Sequence, residues 1–128
     1  MRCPELNRPT DGELEILAVL WASGPSTVRQ VYEKLKTARD TGYTTVLKLL
    51  QIMRDKGLVV RDESERSHVY RAARQQESTQ RQLVKNLLTR AFGGSAEKLV
   101  MQALSFKNVT PHEIAAIRKL LDAIEESK

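Results

Sequence analysis

Cys3 is the one cysteine of this chain, so no intrachain disulfide can brace the fold, and a reducing compartment is expected. Aromatic residues are only 5% of the sequence, which leaves the core to aliphatic side chains. No apolar run approaches the ~18 residues needed to cross a bilayer, and no signal-like apolar stretch stands at the N-terminus. A cytoplasmic protein with no membrane insertion is therefore expected. Internal repeats and low-complexity segments are absent. So are the arrangements that chemistry needs. His68 and His112 lie in separate elements, and no His or Cys pair has the spacing C-x-x-C or H-x-x-x-H. There is no nucleophile beside a general base and no phosphate-cradling loop. The expectation is no metal, no cofactor and no enzymatic activity.

What is present is enough for one domain, or one small domain with an appendage: 128 residues, 41% of them hydrophobic. The net charge of +5 permits a polyanionic partner without requiring one. Its distribution is more telling. Residues 1–25 carry Arg2 and Arg8 against Glu5, Asp11, Glu13 and Glu15, a net −2. Residues 26–71 carry ten Lys or Arg against six Asp or Glu, a net +4.

A first helix is signalled by "TDGELEILAVLWAS", where Thr10 and Glu13 have capping-box spacing and Leu14, Leu17, Ala18 and Trp21 form the expected buried stripe. "SGP" at 23–25 ends it. Ser26 is the candidate cap of a second helix, "STVRQVYEKLK", with Val28, Val31, Tyr32 and Leu35 on one face. The third, "GYTTVLKLLQIMRDKG", has Val46, Leu49, Leu50 and Met53 at i, i+3, i+4 and i+7, and Gly57 as its stop. "LVVRDE" and "HVYRAA" follow, two β-prone runs joined through the polar tip "SER" at 64–66, which reads as a hairpin. Three striped helices and a hairpin are the order of a winged helix-turn-helix, expected over residues 1–74.

Residues 75–128 read as three more helices. Leu83, Val84, Leu87, Leu88 and Ala91 mark the first, ended by Gly93-Gly94, and Ala96, Leu99, Val100, Ala103 and Leu104 the second. The third opens on Thr110 at N-cap, Pro111 at N1 and Glu113 at N3, with Ile114, Ile117, Leu121 and Ile124 as its stripe beside Leu120. Roughly 50 residues of short helices are too few for a stable core of their own. Their stripes, with Leu87, Leu99, Ile114, Ile117, Leu121 and Ile124 as anchors, are expected to be buried against a second copy of the chain.

The third helix carries an unusual outward face. Adjacent β-branched threonines cost helix propensity, and a face built only for stability favours Glu, Lys and Ala. One reading is a solvated face whose threonines cap or pack locally. The other is a recognition face for double-stranded DNA. Thr44 and Thr45 offer hydroxyls to base edges and methyls to thymine, Lys48 reaches guanine O6 and N7, and Gln51 extends the row. Tyr43 can serve the core or reach a phosphate. Arg61, Arg66 and Arg71 lie in or beside the hairpin, either solvated or, chiefly Arg66, touching the DNA backbone; Glu63 and Glu65 weaken the field there. Trp21 and Tyr70 are expected in the core or at the domain hinge.

The stretches "LEILAVLWASGPSTVRQVYEKL", "YTTVLKLLQIMRDKGLVVR" and "HVYRA", followed by a short helical tail, resemble the penicillinase-repressor family of BlaI/MecI-type bacterial transcriptional regulators. The resemblance runs over roughly residues 8 to 125, with "YTTV" and "KGLVVR" its most specific parts. It implies a homodimeric repressor on a palindromic operator upstream of antibiotic-resistance or stress genes. It further implies derepression when a membrane-bound zinc metalloprotease sensor triggers cleavage of the repressor. Carried over by position, Thr44, Thr45 and Lys48 map onto base-reading residues, Tyr43 onto a backbone contact and Arg66 onto the wing arginine. Two departures stand out. Glu65 occupies the place of a customary Gly before that arginine, and Gln102-Ala103, the candidate cleavage region, occupies that of an Asn-Phe pair. The cysteine-rich tail of the copper-responsive branch is lacking. A rival class is a winged-helix module that grips a protein through its third helix. Such a face calls for apolar or aromatic anchors, whereas Ile52 is the one apolar residue among the outward positions.

Overall fold

The computed structural model describes residues 8–37, 41–64, 66–106 and 108–127; Cys3 and Glu65 lie outside them. The element order is α1 (Asp11–Ser23), β1 (Ser26–Thr27), α2 (Val28–Lys36), α3 (Tyr43–Lys56), β2 (Val59–Asp62), β3 (Val69–Ala72), α4 (Gln76–Arg90), α5 (Ala96–Ser105) and α6 (Pro111–Glu126). The fold is mainly helical, with one small antiparallel sheet, as a winged helix with a helical tail requires.

Capping chemistry sets the helix starts. At α1, α2 and α6 a threonine (Thr10, Thr27 and Thr110) accepts the N3 amide, and the N3 side chain (Glu13, Gln30 and Glu113) accepts the threonine N–H in return. The α2 cap is Thr27, not the expected Ser26. A cap at Ser26 would put Arg29 at N3, and a guanidinium has no acceptor to offer in return. Ser26 is instead buried, and its hydroxyl donates to the Gly24 carbonyl at 2.8 Å.

The α1 stripe also differs from expectation. Ile16, Leu17 and Leu20 are buried together with Glu13, while Ala18 is exposed and Leu14 and Trp21 lie half-buried at the margin. Glu13 explains the rotation. Its carboxylate is only 2% exposed, pairs with Lys56 Nζ at 2.7 Å and accepts the Thr10 N–H at 2.8 Å. Residues 13, 16, 17 and 20 share one helical face, so turning Glu13 inward carries Ile16 and Leu20 with it.

The core joins that face to Val28, Val31 and Leu35 of α2, to Val46, Leu50 and Met53 of α3, and to Val59 and Tyr70 of the sheet. The sheet has a strand more than the expected hairpin, in the order β1-β3-β2. Tyr70 faces Ser26 on one side and Arg61 on the other. At the end of α3, Gly57 takes φ 82°, and the amide of Leu58 then reaches back to the Met53 carbonyl at 2.8 Å. That closure aims the chain directly into β2.

The chain divides into two compact units, Met1–Leu83 and Val84–Lys128. The division falls inside α4. In the first unit Trp21 Nε1 donates to the Arg74 carbonyl at 3.0 Å, and Thr79 of α4 is buried. In the second, no residue of α5 or α6 is buried. No described helix is long and apolar enough to cross a membrane.

Candidate nucleic-acid interface

The first turn of α3 is the focus. Gly42 is its N-cap and offers no capping side chain, so the leading amides are open to solvent or to an acceptor from outside. Val46, Leu50 and Met53 fix the inward face at zero exposure. The helical period then turns Thr44, Thr45, Lys48 and Gln51 outward, and all four are exposed. Tyr43 is 42% exposed, meets Tyr32 of α2 edge-on at 5.7 Å, and has the Arg29 guanidinium over its ring at 6.0 Å. Its ring therefore braces α3 on α2 while part of its surface stays free.

An open groove runs between α3, the start of α2 and the wing, lined by Thr27, Arg29, Tyr43, Gln51, Arg61, Arg66 and His68 among others. It brings together four of the seven residues singled out from the sequence: Tyr43, Gln51, Arg61 and Arg66. Thr44 and Lys48 stand on α3 outside it. Thr45 borders a second cleft with Gly12, Glu15, Thr41 and Leu49.

Arg61 is the least available of the seven. Its side chain is 19% exposed and lies opposite Tyr70 on the neighbouring strand, and its guanidinium pairs with Glu63 at 2.9 Å. The Tyr70 hydroxyl first, and Glu63 next, raise its pKa above the ordinary arginine value. Its Nε is buried and finds no hydrogen-bond partner among the described residues. Arg66 is exposed at the wing tip. The bend into that tip is fixed by Asp62, whose carboxylate accepts the Ser64 N–H at 2.9 Å; that bond holds the Asp62 pKa below the usual carboxylate range. β2 ends at Asp62 and β3 begins at Val69, so Glu63 and His68, at the ends of the two β-prone runs, lie outside the strands.

Two residues of this surface gave no warning in the sequence. Arg29, four residues before Glu33, reads as half of an ordinary i,i+4 pair, and it does form one at 3.5 Å. It also borders the groove. Arg54 reads as a dipole-compensating cation in the last turn of α3, yet it reaches Glu63 across the wing at 3.6 Å.

In the second unit the expected anchors differ in exposure. Leu99 and Ile117 are half-buried, whereas Leu87, Ile114, Leu121 and Ile124 are exposed, as are Leu120 and Phe106. Gln102 and Ala103 are exposed within α5.

Comparison with known proteins adds two findings. The family described as penicillinase repressor matches residues 9–123 of this chain. The protein named transcriptional regulator BlaI, from two strains of Mycobacterium tuberculosis, is 42% identical over 67 residues, covering 52% of this chain and 49% of that relative. The chain thus spans about half the length of the curated relatives it matches.

Proposed function

The chain belongs to the penicillinase repressor family, a family of transcriptional repressors, and on that premise we propose that it is a homodimeric repressor binding a palindromic operator in double-stranded DNA. The observation that carries the reading is the outward row of Thr44, Thr45, Lys48 and Gln51 on a helix whose opposite face is fully packed. Short hydroxyls and a lysine near a helix start suit base edges in a major groove. Tyr43, Arg61 and Arg66 border them on the side where a phosphate backbone would pass. A protein-gripping surface would offer apolar or aromatic anchors; on α3 Ile52 is 40% exposed and Tyr43 42%, and the Tyr43 ring is already engaged by Tyr32 and Arg29.

The salt dependence of duplex binding tests this reading. With about four phosphate contacts per half-site, the dimer makes roughly eight, and log K against log salt should slope near −7. A slope shallower than about −3 would mean that the basic surplus does not meet DNA. Substitutions then divide the roles. Thr45→Ala or Lys48→Ala should cost about 1–3 kcal/mol on the operator and less on random duplex. Arg66→Ala should weaken both by similar factors. Equal losses for all three would contradict the division.

Dimerisation belongs to residues 75–128 in this proposal, with Leu87, Leu99, Ile114, Ile117, Leu121 and Ile124 at the seam and residues 1–74 holding the DNA. What supports it is the amount of apolar surface that α5 and α6 leave in water: Leu121 is 56% exposed, Leu120 59% and Ile124 48%. Ile117→Asp should yield monomers in analytical ultracentrifugation; a dimer at unchanged affinity would remove α6 from the seam. Release would follow a signal acting on the 102–103 region, and the family resemblance suggests a membrane-bound metalloprotease sensor as its source.

A further inference from the structure

The root of the wing holds a charge arrangement that DNA binding alone does not call for. The Glu63 carboxylate lies 2.9 Å from an Arg61 guanidinium nitrogen, 3.6 Å from one of Arg54, and 4.0 Å from His68 Nε2. These three groups come from β2, from the last turn of α3, and from the residue ahead of β3. One exposed acid thus gathers two guanidiniums and an imidazole beside the recognition helix on its wing side. Arg61 and His68 border the groove. Pairing with Arg61, first of all, holds the Glu63 carboxyl below the usual carboxylate range, so it is ionised at neutral pH.

A surface built only for affinity would leave that position neutral or basic. A carboxylate there has two effects on an approaching duplex. It repels the phosphate backbone, and it competes with phosphate oxygens for two guanidiniums. Both effects act on any sequence, because every duplex presents the same phosphates. Base-edge contacts from Thr44, Thr45 and Lys48 do not pass through Glu63. Lowering the sequence-independent part while sparing the sequence-dependent part raises the ratio between them.

We propose that Glu63 is a specificity-determining positioning residue: it holds Arg54 and Arg61 at the wing root and restrains their use as phosphate contacts. Discrimination between duplexes then falls to the outward face of α3. The inference rests on the DNA-binding reading above and adds to it a residue that works against affinity. The Arg54–Glu63 pair is exposed, at 45% and 48%, so it is weak and easily exchanged for phosphate, while Arg61, 19% exposed, is held more firmly.

The test compares the full-length protein with its Glu63→Gln and Glu63→Asp variants on two probes. One is a 30-base-pair duplex of scrambled sequence. The other is a duplex enriched from a random-sequence library by the wild-type protein. Glu63→Gln should bind the scrambled duplex roughly tenfold more tightly at low salt, with a slope of log K against log salt steeper by about 1 to 2. The enriched duplex should gain less, so the ratio of the two affinities falls. Glu63→Asp keeps the charge and should restore both the slope and the ratio. A clamp with only a structural role predicts something different: weaker binding to both probes and a lower melting temperature. That pattern, or a slope unchanged by Glu63→Gln, overturns the role of Glu63 while leaving DNA binding intact. A wild-type protein that enriches no duplex and shows no salt-dependent binding overturns the DNA-binding reading, and this inference falls with it.

Discussion

Lys56→Met should lower the melting temperature by roughly 10–20 °C, the largest stability loss expected from any single surface-reachable side chain here. The reason is the company Lys56 keeps. Its ammonium lies 2.7 Å from a Glu13 carboxylate that is only 2% exposed, and it also donates to the Arg8 carbonyl at 3.4 Å. Removing one partner of a buried pair costs about 3–5 kcal/mol, because the other charge is left without water or counterion. Lys56 itself is 22% exposed, and Glu13 keeps the Thr10 N–H, so the cost falls below that range, at about 2–3 kcal/mol. Each kcal/mol moves the midpoint of a domain this size by about 4–8 °C.

The two partners should not be equivalent. Glu13→Gln leaves an ammonium that can swing its stem toward water, and the new amide oxygen can still accept the Thr10 N–H. Its loss should be nearer 1 kcal/mol. The double variant Glu13→Gln/Lys56→Met should recover most of what Lys56→Met loses, since no unpaired charge remains buried. Thermal melts followed by circular dichroism decide it. A Lys56→Met midpoint within about 2 °C of the parent would show that the pair contributes nothing measurable.

Glu13 also marks how far the sequence could be read. Capping boxes at Thr10 and Thr110 and the stop at Gly57 are local signals, each completed within three or four residues, and all three occur as expected. The α2 and α3 stripes were largely legible for a similar reason, since apolar residues at helical spacing are buried wherever a core forms, with Tyr32 and Leu49 half-buried at its margin. The α1 face was not. Its orientation depends on a carboxylate meeting a lysine 43 positions away, and counting apolar residues treats Glu13 as an outward position. The third strand was hidden too, because two residues, Ser26 and Thr27, are too short to show alternation and exist only through pairing with Tyr70 and Val69.

The candidate interface divides along the same line. The outward exposure of Thr44, Thr45, Lys48 and Gln51 was legible because it follows from the buried face of a single helix. Arg54 and Arg61 depend on where the wing folds, and only the folded chain joins both to Glu63. Sequence spacing cannot distinguish an arginine that meets phosphate from one held by a neighbouring acid.

Severing the chain between Gln102 and Ala103 should abolish operator binding at nanomolar protein while leaving α3 unchanged. On the dimeric reading, the cut separates α6 from the DNA-binding part, and with it much of the apolar seam: Ile114, Ile117, Leu121 and Ile124 all lie in Pro111–Glu126. Each winged helix would then meet its half-site alone. Losing the tether between half-sites forfeits a factor on the order of 10² to 10⁴ in affinity, through effective concentration and without any change in contacts. Both residues are exposed yet helical, so a protease that needs extended backbone must first open α5 locally. No residue of α5 is buried, which keeps that opening cheap. The experiment inserts a site-specific protease sequence between the two residues and compares operator binding before and after cutting. Before cutting, the insert should cost little. Afterwards, binding should shift to about 10² to 10⁴ higher protein, with half-site contact persisting there. If the cut protein still dimerises and holds the operator at its original affinity, a break in α5 cannot be the release step. A ligand or protein that parts the intact dimer would then have to supply it.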